Sequence, residues 1–75
     1  MKSFLTLLKE EDAAVKEVNA TEEVIDFYLE KQSTSNSEDA SFIEEMLVHE
    51  YEVLTKRKEK LSECHKAIRQ YLSQI

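Results

Sequence analysis

The sequence predicts an all-α protein that folds as an antiparallel, coiled-coil-like hairpin of two helices. Its 75 residues include no Gly and no Pro, the residues that form most tight turns. Residues 33–39 are the one clear linker, a polar run of mostly small side chains. After that run, one position repeats as an apolar residue every seven residues, as a coiled-coil seam requires. The length fits a single domain covering residues 1–75.

The first helix is predicted over residues 3–31. Its apolar residues recur at helical spacing, with polar interruptions at Glu11, Thr21 and Glu22. Asn19 and Glu22 have the spacing of a capping box. A break near Asn19 therefore stays open, and it would give a chain of three helices.

The linker is predicted over residues 32–37, because Ser, Thr and Asn favour caps and turns over helix interiors. Ser37 is the expected N-cap of the second helix, since the acids Glu38 and Asp39 follow it and complement the positive helix end. Ser35 with Glu38 offers a capping box as the alternative.

The second helix is predicted over residues 38–73. Its seam is the most specific signal in the chain, an apolar residue at each of six consecutive heptads. The members are Ala40, Leu47, Leu54, Leu61, Ile68 and Ile75.

A charged pair is predicted to set the register of the hairpin. If the chain turns near residue 35, Glu11 in the first stripe falls opposite Arg57 and Lys60 in the second, and it is predicted to lie near one of them. A pair of charges at an apolar seam can fix register while contributing little net stability.

Two helices of this size bury one stripe each, which barely offsets the chain entropy lost on folding. We therefore expect a partner to complete the core, either a second copy in a four-helix bundle or another helical protein. The predicted binding residues are large apolar side chains off the seam and at an overhanging C-terminal end: Val24, Phe27, Met46, Tyr51, Val53, Tyr71, Leu72 and Ile75.

The charge of the chain argues against nucleic acid as a partner, since the net charge is −6. Residues 1–54 carry four basic and fourteen acidic residues, a net of −10, whereas residues 55–75 carry six basic and two acidic residues, a net of +4. No apolar run reaches the roughly 18–20 residues that span a bilayer, and the N-terminal apolar run is too short for a signal peptide. The expected location is the cytoplasm, away from membranes.

Enzyme chemistry is not expected, because a hairpin this small offers little concavity for converging polar groups. We predict no catalytic residue, no cofactor, no metal and no small-molecule substrate. Cys64 and His65 are neighbours in sequence, so their side chains point about 100° apart on a helix. A weak metal site at Glu45, His49 and Glu52 is the alternative from a different functional class.

The length and helix pattern, rather than any motif, are similar to those of the two-helix co-chaperones of type III secretion needle subunits. That resemblance implies a hairpin that pairs with another helical protein. The predicted function is thus a non-enzymatic interaction module: an adaptor, co-chaperone or assembly subunit. The alternative is an acidic inhibitor or immunity-type regulator that occludes a target protein.

Overall fold

The chain forms two long helices in a computed structural model that describes residues 2–34 and 36–75. Helix α1 spans Phe4–Thr34 and helix α2 spans Ser37–Ser73. They pack against each other along their lengths as an antiparallel rod of 57 × 14 × 14 Å. The predicted all-α hairpin is confirmed, while its completion as a four-helix bundle stays a prediction.

Both helices reach further into the linker than the sequence predicts. Helix α1 runs unbroken through Asn19 and ends at Thr34, so most of the predicted linker is helical. The Ser33 and Thr34 hydroxyls donate to the carbonyls of Glu30 and Lys31, at 2.8 and 3.2 Å. Such bonds to the preceding turn let polar residues remain helical.

The N-cap of α2 is Asn36 rather than the predicted Ser37. Its side-chain oxygen accepts a hydrogen bond from the backbone N–H of Asp39 at 2.9 Å, and its backbone is extended, as N-caps are. Ser37 is already the first helical residue. The alternative cap, Ser35, lies outside the described residues.

The apolar core is a narrow strip between the helices. Its most continuous part lies near the turn, where Ile25, Ile43 and Leu47 are buried together and Tyr28 and Leu54 pack against them. Further from the turn, α1 buries three more apolar side chains, while the α2 seam is only half-buried. These residues are Leu7, Ala14 and Val18 on α1, and Leu61, Cys64 and Ile68 on α2.

A polar layer interrupts the core at the middle of the hairpin. Thr21 is only 1% exposed, and its hydroxyl donates to the Glu17 carbonyl at 2.9 Å. The Arg57 guanidinium crosses from α2 and donates to both the Thr21 hydroxyl and the Glu17 carbonyl. The side chains of Lys60 and Glu17 form an ion pair at 3.8 Å beside this layer.

The structure replaces the predicted Glu11–Arg57 pair with two other partnerships. Arg57 is held by Thr21 and Glu17, and a Glu11 carboxylate oxygen lies 3.1 Å from Nε2 of His65. His65 is about two helical turns beyond Arg57.

The reason is the direction of side chains on a helix. Side chains lean toward the N-terminus of their own helix. In this antiparallel pair, the side chains of α1 lean away from the turn and those of α2 lean toward it. The α2 member of a touching pair therefore comes from a position further from the turn than level backbones indicate, and the α1 member comes from a position nearer to the turn. The predicted register matched backbone levels and left out this lean.

Candidate interaction surface

One side of the hairpin carries an uncovered apolar surface near the turn, which we name the tip face. On it, Phe27 is 53% exposed and Phe42 is 61% exposed, on either side of a shallow cleft that Tyr28 and Ile43 also line. Helical spacing extends this surface along both helices. We define the tip face as Val24, Phe27, Phe42, Met46 and Val53.

Residues are assigned to the tip face on two grounds: they line the cleft, or they lie a whole number of heptads from a residue that lines it. Lys31 and Asp39 line the same cleft as the two phenylalanines. Val24 lies one heptad before Lys31, and Met46 and Val53 lie one and two heptads after Asp39. Positions a heptad apart on a coiled-coil-like helix keep the same relation to the partner helix.

Local contacts hold the Phe27 ring in place. It makes an edge-on contact with Tyr28, with ring centroids 5.7 Å apart at 66°, a favoured geometry for aromatic pairs. The Lys31 ammonium lies 5.6 Å from the Phe27 centroid, within range of a cation–π interaction. Phe27 is therefore an exposed aromatic with a defined orientation.

Tyr51 does not belong to the predicted surface with Phe27. It is two residues before Val53, and side chains two apart on a helix point about 160° away from each other. Tyr51 therefore lies on the opposite flank of the seam. Other exposed apolar side chains that share that flank by heptad position are Leu8, Leu29 and Leu72.

A second concavity, which we name the end cleft, lies between the ends of the hairpin far from the turn. Its volume is about 470 Å³, and its apolar lining comes from Leu7, Cys64, Ala67 and Tyr71. The polar lining is Lys2, Glu10, Lys60, Glu63, Gln70 and Gln74.

Three of the four charged side chains that line the end cleft form ion pairs within the chain. The Lys2 ammonium lies 2.7 Å from a Glu10 carboxylate oxygen. This hydrogen bond and the negative charge of Glu10 raise the pKa of Lys2 above its ordinary value. The Lys60–Glu17 pair lies further along the same side. Two basic and two acidic side chains line the cleft, so it is close to neutral.

The end cleft and the tip face open on the same side of the hairpin. Asp39, Phe42 and Ile43 line the cleft at the turn. The residues three heptads later are Lys60, Glu63 and Cys64, and those four heptads later are Ala67, Gln70 and Tyr71; all six line the end cleft. This shared heptad position places both concavities along one flank of the seam.

The predicted C-terminal overhang is shorter than expected. Tyr71 stacks on Phe4, with ring centroids 5.2 Å apart and planes at 19°, so it packs within the hairpin. Leu72 and Ile75 are exposed, Ile75 at 88%. Phe4 is the first residue of α1, and the Ser3 hydroxyl before it accepts a hydrogen bond from the Thr6 backbone N–H.

The two halves of the rod differ strongly in charge. The tip half, residues 19–34 and 36–55, holds ten acidic residues and one basic residue, a net of −9. The open half, residues 2–18 and 56–75, holds nine basic and six acidic residues, a net of +3. Lys31 and Asp39 are the charged residues that line the cleft of the tip face, so most acids of the tip half lie elsewhere.

The geometry assembles no cluster of metal ligands among the residues that the structure describes. No group of three or more His, Cys, Asp or Glu side chains there could hold a metal ion. The alternative of a metal at Glu45, His49 and Glu52 therefore lacks a converging ligand set. Cys64 is a free thiol and half-buried, while His65 faces Glu11.

Sequence reasoning missed two residues of this arrangement. Phe42 is the most exposed aromatic of the tip face, and its spacing of four residues before Met46 was the available signal. Thr21 was noted as a polar interruption, but its role as the acceptor for Arg57 has no local signature, because the two residues are 36 positions apart.

No helix in the described part of the chain has a stretch long and apolar enough to cross a membrane. Comparison with models of known protein families, with characterised proteins and with solved structures gave no match. None of these comparisons supports the resemblance to needle-subunit co-chaperones.

Proposed function

We propose that this protein is a non-enzymatic helical interaction module that associates with another helical surface through its tip face. The observation that carries the proposal is the exposure of Phe27 and Phe42 side by side over an otherwise narrow core. Exposed aromatic clusters on small domains commonly mark binding surfaces.

The core explains why association is useful to the fold. Six apolar residues are buried across the described chain, and the core strip is broken at mid-length by Thr21 and Arg57. Chains of this size gain little net stability from one core strip. Covering the tip face with a second helical surface adds the apolar burial that the hairpin lacks alone.

The test compares the wild-type chain with the Phe27→Ser/Met46→Ser variant at micromolar concentration. Sedimentation gives the mass, and circular dichroism gives the helicity and the melting temperature. Association stabilises the folded state by mass action, so the melting temperature of the wild type should rise with protein concentration. The variant should weaken association at least about tenfold, as aromatic anchors do.

The matched control is Leu29→Ser/Tyr51→Ser, which removes comparably exposed apolar side chains from the opposite flank. It should leave association unchanged. If the wild-type chain is instead a poorly helical monomer, the chain does not complete its fold alone or with a second copy. That result would also support an interaction module, one whose fold is completed by a different protein. A stable, cooperatively folded monomer that the tip-face variant does not affect would overturn the proposal.

The second candidate is an inhibitor or immunity-type regulator, which the charge of −9 on the tip half favours. Such a protein would occlude a basic target through its acids rather than its phenylalanines. Exposed charges are screened over about 8–10 Å at ordinary ionic strength. Complex formation that salt abolishes and Phe27→Ser leaves intact would support this candidate over the apolar interface.

A further inference from the structure

We infer that the partner is a second copy of this chain, docked antiparallel so that each tip face covers the end cleft of the other copy. This inference rests on the proposed function and adds the partner and its orientation. The product is a four-helix bundle with a twofold axis across the middle of the rod.

The first support is that the two complementary features share one side of the hairpin. The tip face projects Phe27 and Phe42, while the end cleft offers a concave lining of Leu7, Ala67 and Tyr71. The tip face and the end cleft lie at equivalent heptad positions, on the same side of the hairpin. A second copy that packs against this side can therefore contact both features at once. A twofold interface uses the same patch on both copies, so a projection and a recess on one patch can fill each other.

The second support is the spacing of the two features along the rod. Phe27 and Leu7 are 20 positions apart on α1, or about 30 Å. The position midway between them is Glu17, and the position midway between Phe42 and Ala67 on α2 falls between Leu54 and Thr55. Arg57 of α2 reaches Glu17, so the two midpoints lie near the same level. A single twofold axis at that level therefore places the tip face opposite the end cleft on both helices. The two rods then overlap over nearly their full length.

The third support is charge, which decides the direction of the second copy. A parallel arrangement places the two tip halves, each of net charge −9, beside each other. The antiparallel arrangement places each of them beside an open half of net charge +3. Like charges held together oppose association, and complementary potentials favour it. The end cleft is near neutral, and its Lys2 and Glu10 side chains form an ion pair with each other, which limits the cost of covering them with the phenylalanines.

The lone cysteine makes this geometry measurable. Cys64 lines the end cleft, and Asp39 lines the cleft of the tip face. Within one chain, positions 39 and 64 are 25 residues apart on a single helix, or about 37 Å. In the antiparallel dimer, position 39 of one copy and Cys64 of the other are offset by only about 9 Å along the rod. A crosslinker with an arm of about 10–15 Å can therefore join them only between two copies.

The experiment treats the Asp39→Cys variant of the full chain with a thiol crosslinker whose arm spans about 10–15 Å, because position 39 and Cys64 of the other copy are offset by about 9 Å along the rod. We expect a covalent dimer of twice 8.8 kDa, and digestion with mass spectrometry should show position 39 joined to Cys64. The control Ser41→Cys, whose side chain points to the other side of the helix, should give at least about tenfold less of the dimer that joins the new thiol to Cys64. Wild-type chains should not crosslink through Cys64, since the two thiols lie about 30 Å apart in this dimer.

Links from position 39 to position 39, or from Cys64 to Cys64, would overturn the antiparallel dimer in favour of a parallel one. If Phe27→Ser/Met46→Ser abolishes association and position 39 still fails to reach Cys64, the tip face is the interface and this orientation is wrong. A poorly helical monomer overturns the self-association while the interaction module stands. A stable, cooperatively folded monomer that the Phe27→Ser/Met46→Ser substitutions do not affect overturns both the dimer and the interaction module.

Discussion

The tip half and the open half of the rod use the same two helices in different ways. Near the turn, Ile25, Ile43 and Leu47 form a buried apolar cluster, yet Phe27 and Phe42 remain uncovered beside it. Toward the open end, α2 seam residues are only half-buried, and a cleft of about 470 Å³ separates parts of the two helices.

The difference shows where each half obtains its stability. The tip half relies on burial within the hairpin, and it has large apolar groups in excess. The open half buries Leu7, Ala14 and Val18 against an α2 seam that is only half-buried. At its rim it adds the stacking of Phe4 on Tyr71 and the polar contact of Glu11 with His65. Partly exposed polar pairs contribute little, so the open half has less internal stabilisation than the tip half.

The largest effect should come from truncating the apolar cluster of the tip half. Leu47→Ala should lower the free energy of unfolding by about 2–4 kcal/mol, because Leu47 is buried at 6% exposure and its loss leaves a cavity. Leu61→Ala, at the half-buried seam of the open half, should cost about half as much. Chemical denaturation at a fixed protein concentration measures both. Equal losses would show that the two halves are packed alike.

An intermediate effect should come from the polar layer between the halves. Thr21→Val removes the hydroxyl that accepts from Arg57 and keeps the side-chain shape, so it should cost about 1–2 kcal/mol by leaving a half-buried guanidinium with fewer acceptors. The double variant Thr21→Val/Arg57→Leu should recover most of that loss, since replacing both partners by apolar groups is close to neutral. Losses that simply add in the double variant would contradict this coupling.

The smallest effect should come from the rim of the open half. Glu11→Lys should cost less than about 1 kcal/mol, because both members of the Glu11–His65 pair are partly exposed. Adding His65→Glu should restore the wild-type stability, whereas adding Arg57→Glu should not. Rescue by the Arg57 variant alone would restore the register predicted from the sequence.

Much of the fold was predictable because its signals are local. The heptad repeat from Ala40 to Ile75 and the absence of Gly and Pro predicted two helices and their antiparallel packing. The continuity of α1 through Asn19 was left open, because an exposed Asn is compatible with either a cap or a helix interior. Helix ends were less predictable, since Asn36, Ser37 and Ser35 all suit a cap.

The surface was harder to predict than the fold. The sequence shows the apolar excess at Val24, Phe27 and Met46. The predicted surface wrongly includes Tyr51, which is two residues from Val53 and therefore points away from it. The partners of Arg57 depend on the lean of side chains across the seam, which a count of positions along the chain omits. The end cleft arises from the shapes of residues distant in sequence and has no sequence motif.

The short turn also has a consequence for the order in which the hairpin assembles. Ile25 and Ile43 are 18 positions apart, whereas Phe4 and Tyr71 are 67 positions apart. Closing the longer loop from an open chain costs about 1 kcal/mol more in entropy. Contacts near the turn should thus form first and the helices zip outward, as chains rich in local contacts do. Local unfolding should follow the reverse order and begin at the end of the rod that carries the end cleft. Backbone amide hydrogen exchange should therefore be fastest there.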